Sequence, residues 1–186
     1  RILVSYNPDP LGSDSPVAFV FPGSGNHFLG MGREIGVQWP EILRNQDLKT
    51  EELKNQLLPH CYAPDRLDWD DGREEDAGRF ISSDILHMIF GQVVHGSVVA
   101  KLMAHFSIKP AAVMGYSLGE SAGYFAMHVW PERGEMLQRM KNTNLFSTEL
   151  AGPCNAARKV WNVAPDENVD WRVAVVNRKA DLVRRV

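Results

Sequence analysis

Apolar and polar residues alternate along this chain with a few distinct periods. Val17-Ala18-Phe19-Val20-Phe21 is an unbroken apolar run of strand length and reads as a buried strand that starts the core. Glu41 to Leu58 places Ile42, Leu43, Leu48, Leu53 and Leu57 on one face of a modest amphipathic helix. From Ser82 to Phe106, Ile85, Leu86, Ile89, Phe90, Val93, Val94, Val98 and Leu102 recur at three- and four-residue steps. This is the strongest helix, apolar on more than one side, with Ser82 or Ser83 as its N-cap. Pro110 then leads into a second short apolar strand, Ala111 to Met114. Pro131 opens another helix as its N1 proline, carrying Met136, Leu137, Met140, Leu145 and Phe146 until Gly152-Pro153 breaks it. Trp171 to Val176 reads as a new strand, followed after Asn177-Arg178 by a short helix from Ala180 to Val186. Residues 1–16, with Pro8, Pro10, Gly12 and Pro16 among Asn, Asp and Ser, read as a linker from a preceding domain. Pro59 to Arg79 reads as a solvated loop, its carboxylates interleaved with Arg66, Arg73 and Arg79 and lacking calcium-loop spacing.

The second strand runs straight into Gly115-Tyr116-Ser117-Leu118-Gly119-Glu120. Strand, Gly-x-Ser-x-Gly, then an Ala/Gly-rich helix is the pattern of a nucleophile elbow. The turn is so sharp that a side chain on either flanking glycine would clash, and it leaves the Ser117 hydroxyl exposed. The following helix aims its free N–H groups at any oxyanion formed there. Upstream, the first strand ends in Pro22-Gly23-Ser24-Gly25-Asn26-His27 and Gly30-Met31-Gly32. No Lys-Ser/Thr follows these glycines, which argues against a P-loop, and Phe28 stands where a dinucleotide fingerprint needs its third glycine. Paired with the elbow, this is a backbone-donor loop: the N–H near Ser24 supplies one oxyanion donor and that of Leu118 the other.

These two motifs, in this order and spacing, resemble the malonyl/acyl-CoA:acyl-carrier-protein transacylases. Members are free-standing in bacterial fatty-acid synthesis and embedded in polyketide and polyunsaturated-fatty-acid synthases. The family's opening Phe-Pro-Gly-Gln-Gly and Gly-Met-Gly correspond to Phe21-Pro22-Gly23-Ser24-Gly25 and Gly30-Met31-Gly32. Its approach to the nucleophile corresponds to the run from Ser107 to Glu120. The tail from Phe146 to Val186 looks most like the polyunsaturated-fatty-acid branch. The resemblance implies an α/β fold: a three-layer, α/β-hydrolase-like parallel-sheet core over residues 17–168, incomplete, and the start of an inserted ferredoxin-like subdomain over 169–186. It implies a multidomain, cytoplasmic enzyme in which Ser117 carries the acyl group from coenzyme A to the phosphopantetheine thiol of an acyl carrier protein. Neighbouring synthase domains are the other partners, and no metal or organic cofactor is needed.

Departures from the family mark the specificity pocket. Ser24 replaces a Gln of which the family uses only the backbone N–H. Tyr116 replaces the usual His before the nucleophile. Asn142 falls where the family has its malonyl-selecting Arg, and only a one-turn shift would bring Arg139 there. Asn cannot pair bidentately with a malonyl carboxylate, so a neutral acyl group is expected. A further family Gln finds only a poor match around Met88 to Gln92. The family's His base lies beyond the last residue of this chain, so the chain is expected to be an inactive fragment of a larger domain.

Composition adds few constraints. The 186 residues are 44% apolar and 23% charged with net charge −3, an ordinary globular make-up that disfavours nucleic acid as a partner. Two separated cysteines, Cys61 and Cys154, show no metal spacing and point to a reducing cytoplasm. No apolar run of membrane-spanning length and no signal peptide is apparent. Of the six histidines only His27 follows the glycine loop. Two rival readings stand beside the transferase. A serine hydrolase of the esterase or patatin type would need a late His or an Asp-Gly after the Ser, whereas Asp71-Gly72 precedes it. The other rival is a catalytically silent docking piece of a synthase.

Overall fold

The computed structural model describes residues 6–48, 53–62, 71–170 and 175–184. The chain divides into two compact units, Arg1–Arg139 and Met140–Val186. In the first unit strand β1 (Val17–Phe21) is followed by α1 (Arg33–Gln38), α2 (Pro40–Asp47), α3 (Leu53–Leu57), α4 (Pro59–Tyr62), α5 (Asp71–Ser83) and the long α6 (Ile85–His105). Strand β2 (Pro110–Gly115) and helix α7 (Leu118–Ala126) come next, and the last two residues of α8 (Arg133–Lys141) already belong to the second unit. The second unit holds a π-helical turn at Leu145–Glu149, α9 (Asn155–Trp161) and α10 (Ala180–Val183).

The two strands pair in parallel, with Phe19 opposite Val113 and Phe21 opposite Gly115. Parallel neighbours require a crossover, which the helices between them supply. The fold is thus α/β, with a small parallel sheet. Phe19 and Phe21, two residues apart and so on one face of β1, pack into a cluster with Val93 and Ala100 of α6 and Ala122, Phe125 and Ala126 of α7. Val20 on the opposite face is exposed, as are Val113 and Met114 of β2. A second cluster joins Ile42, Leu53 and Leu57 to Val94 and Val98 of α6. A third joins Leu58, Cys61 and Tyr62 to Ala77 and Ile81 of α5. Helix α6 therefore reaches all three clusters, the third through Met88, which is why its apolar residues run round more than one side.

Several sequence expectations are corrected. Residues 71–83, expected to be the end of a loop and the start of α6, form a helix of their own. Arg79 pairs with Glu75 one turn earlier and with Asp76, while Ala77 and Ile81 are buried beneath it. The interleaved charges are the solvated face of a helix, not a loop. Residues 63–70 lie outside the described residues. Ser82 and Ser83 consequently close α5, and the N-cap of α6 is Asp84, whose carboxylate accepts the Leu86 N–H at 2.8 Å. Leu48, expected on the buried face, is exposed at the end of α2. Pro131 precedes α8 rather than occupying its N1 position, and Leu145 and Phe146 belong to the separate π turn. Helix α6 is, against expectation, long and apolar enough to cross a membrane by length and composition, but 61% of that stretch is buried inside the protein. The strand expected at Trp171 to Val176 falls largely on 171–174, outside the described residues, and Val175 and Val176 are not in a strand.

Candidate active site

Strand β2 ends at Gly115 and α7 begins at Leu118, so the turn between them spans only Tyr116 and Ser117. Ser117 takes up the whole reversal with φ 52° and ψ −118°, outside the usual basins of a residue with a side chain. Its hydroxyl does not cap the helix and makes no hydrogen bond among the described residues, and the residue is exposed. The flanking glycines are dictated by contact. A Cβ on Gly115 would strike the backbone of Gly119 and Glu120, 2.5 Å from the Gly119 carbonyl oxygen. A Cβ on Gly119 would strike Phe21 and stand 2.9 Å from the Pro22 carbonyl oxygen. The elbow is thus wedged against the end of β1 as well as closed on itself.

The glycine loop is tied to the elbow by the same contacts. The Tyr116 N–H donates to the Phe21 carbonyl at 3.3 Å, and the Tyr116 ring lies against Gly23. In the first turn of α7 the Gly119 and Glu120 N–H groups donate to the carbonyls of Tyr116 and Ser117. The Leu118 N–H has no acceptor among the described residues, nor has that of Ser24. Helix N-termini with unspent N–H groups favour developing negative charge. Inside the loop, the Gly23 carbonyl accepts from Asn26 Nδ2 at 2.9 Å and from Gln92 Nε2 at 2.6 Å, and Gln92 Nε2 also reaches the Pro22 carbonyl at 2.8 Å. An apolar cleft of about 510 Å³ opens beside the loop, lined by Phe21, Phe28, Met31, Gln92, His95 and Val99 among others. A second cleft, about 650 Å³, runs along β2 and α7 past Gly115, Gly119 and Glu120.

This chain is similar to a segment of polyketide synthases. It is 31% identical over 121 residues to a non-reducing polyketide synthase of Gibberella zeae, which covers 64% of this chain and 5% of that protein. It is 30% identical over 150 residues to a highly reducing polyketide synthase of Neurospora crassa, covering 78% of this chain and 6% of the relative. With the orsellinic acid synthase of Beauveria bassiana the identity is 29% over 123 residues, 66% of this chain and 5% of the other. The chain therefore spans only about a twentieth of the length of the curated relatives it matches. Among solved structures, the acyl transferase domain of ZmaA aligns with a TM-score of 0.47 at 22% identity, over 69% of this chain and 31% of that one. No protein-family model matches the sequence.

Of the residues singled out in the sequence, Ser117, Leu118, Tyr116 and Ser24 lie on two backbone segments that touch each other. Arg139, by contrast, is exposed on α8 with its guanidinium on Glu135 at 2.6 Å. Asn142 is an exposed residue of the second unit, just after α8. The histidines with described side chains each make other contacts, although the Nδ1 of His27 is buried without a hydrogen-bond partner among the described residues. His27 sets its ring edge-on to Tyr62 and His87 stacks on Phe80. The buried His95 bonds the Gly91 carbonyl through Nδ1 at 2.7 Å. His128 Nε2 meets Lys101 Nζ, and His105 packs edge-on to Phe106. Burial lowers the pKa of His95. Sequence reasoning touched Gln92 only as the end of a poor match to a family Gln and missed its contact with the glycine loop. The signal was a lone amide inside the otherwise apolar Ile89-Phe90-Gly91-Gln92-Val93-Val94 stretch, since a buried polar side chain must find partners.

Proposed function

We propose that this chain is the nucleophile-bearing part of an acyltransferase in a multidomain synthase, of the malonyl/acyl-CoA:acyl-carrier-protein transacylase kind. The observation that carries this reading is the backbone of Ser117, strained at the N-terminus of α7 with its hydroxyl uncommitted. Ser117 Oγ attacks the carbonyl carbon of an acyl-CoA thioester. The N–H groups of Leu118 and Ser24 hold the resulting oxyanion, which collapses by breaking the C–S bond. Coenzyme A leaves as the thiol, taking the proton lost by Ser117 through a base. The phosphopantetheine thiol of a carrier protein then attacks the acyl-serine ester and restores the hydroxyl. The base is supplied from elsewhere in the polypeptide, a reading supported by the polar partners that His87, His95 and His128 already have. Asn142 offers no charge to a malonyl carboxylate and Arg139 is already paired, which favours a neutral acyl group. A hydrolase-like core with an inserted ferredoxin-like subdomain is the architecture we assign to the whole domain.

The test is the intact mass of the full-length polypeptide after incubation with acetyl-, malonyl- and longer acyl-CoA, with Ser117→Ala beside it. An acyl adduct absent from Ser117→Ala, discharged by carrier protein faster than by water, is the expected result. Discharge by water alone makes the protein a hydrolase. No adduct from any donor leaves a silent docking piece and overturns the transferase.

A further inference from the structure

The glycine loop is held from behind by a side chain that the two motifs do not contain. Gln92 sits on α6, about 6% exposed, and its amide nitrogen spans the carbonyls of Pro22 and Gly23. The amide orientation is set by these partners, because an oxygen in the same place would face two other oxygens. Its Oε1 is buried without a partner. An unsatisfied buried oxygen is costly, so the side chain is not there to fill space. The Gly23 carbonyl is the best-bound group of the loop, with Asn26 Nδ2 as its second donor. Both of its lone pairs are thereby occupied.

A trans peptide points its C=O and N–H to opposite sides of one plane, and this chain has no cis peptide among the described residues. Fixing the Gly23 oxygen toward α6 therefore fixes the Ser24 N–H to face the other way. Two donors on the oxygen also draw electron density from the peptide and strengthen its N–H as a donor. We propose that Gln92, seconded by Asn26, is a positioning residue that orients and polarises the Ser24 N–H for the oxyanion; this rests on the transferase reading above. Gln92 touches neither acyl group nor nucleophile in this role. Its effect belongs to the transition state, where the oxyanion exists, and not to the bound thioester.

The test is steady-state acyl transfer by the full-length polypeptide with Gln92→Leu, with Asn26→Ala as an exposed substitution that leaves the core untouched. For Gln92→Leu, kcat falls on the order of 10- to 100-fold with KM for acyl-CoA within about twofold, since removing an oxyanion donor outright costs about 100- to 1,000-fold. Asn26→Ala gives a smaller loss of the same kind, and the double variant loses less than the product of the two, because both act on one carbonyl. Hydrogen exchange at residues 23–26, read by mass spectrometry, rises in Gln92→Leu whether or not the protein is catalytic. Wild-type adduct formation with unchanged kcat in both variants overturns the role of Gln92 alone. A matched rise in KM and fall in melting temperature with kcat preserved makes Gln92 merely structural and overturns it too. Absence of any adduct on the wild type overturns the transferase reading, and the positioning role falls with it.

Discussion

The elbow and helix α5 are both rich in features that look deliberate in the sequence, yet they are held by opposite means. At the elbow, Gly115 and Gly119 face backbone atoms so closely that no Cβ fits. On α5, Gly78 has nothing within 4 Å of where its Cβ would stand. The charges of α5 meet in pairs whose side chains are well over half exposed, and such pairs contribute little in water. Among the described residues the elbow has no ion pair to lose, and it has no room to change. Backbone-to-backbone contact therefore dictates sequence at the elbow, whereas on α5 only Ala77 and Ile81 on the buried side do so.

Matched glycine-to-alanine substitutions break this comparison most directly. Gly119→Ala forces the start of α7 away from Phe21 and Pro22 and opens the elbow. The expected loss is about 3 kcal/mol by urea unfolding, together with loss of the proposed acylation at Ser117. A shift under about 1 kcal/mol would mean that the contact relaxes at little cost and that the glycine is not structurally required.

Acidification gives a middle-sized effect and separates interior from surface. Burial lowers the pKa of His95 below its ordinary 6.5, so the native state keeps the ring neutral while the unfolded chain takes up a proton. Protons bound by the unfolded state exceed those of the native state in that window. The contribution is fully present above about 6.5 and is lost as the pH falls below it. The urea midpoint should drop between pH about 7.5 and about 5.5, and the drop should shrink in His95→Gln. Equal pH slopes in the two proteins would remove His95 from the account.

The smallest expected effect has the opposite sign. Gly78→Ala on α5 meets open space and gains helix propensity, raising stability by up to about 1 kcal/mol in the same unfolding experiment. Destabilisation there would show that α5 is packed against something its exposure does not reveal.

The same contrast explains what could be read from the chain. The strand at Val17–Phe21, the elbow with its glycines and the long apolar α6 were legible because each is fixed by a local rule: an apolar run, a steric ban on Cβ, a helical period. The expected burial of that strand was not met, since only Phe21 is buried and Val17 and Val20 are exposed in a sheet of two strands. Helix α5 was not, because its charges imitate a loop when counted by composition. The partners that disclose a helix, Glu75 with Arg79 one turn on, are a matter of spacing. The cap of α6 was misread by one or two residues because Ser82, Ser83 and Asp84 are all good caps, and only the ending of α5 decides between them. The lone amide of Gln92 in an apolar stretch signalled a buried partner, but which partner could not be read, since the grip joins residues some seventy positions apart through the fold. Which side of α6 faces the loop is settled by the packing of Phe21 into the cluster with Val93 and Ala122.

The parallel pairing of β1 with β2 also governs the order of events during synthesis. Phe21 leaves the ribosome long before its partner Gly115, with all of α1 to α6 made in between. At ordinary elongation rates that delay is on the order of ten seconds. Throughout it the glycine loop lacks Tyr116 and Gly119 against its outer side, and Ser117 has not yet been made. The Ser117 hydroxyl is thus made only after the whole of the glycine loop that it stands beside.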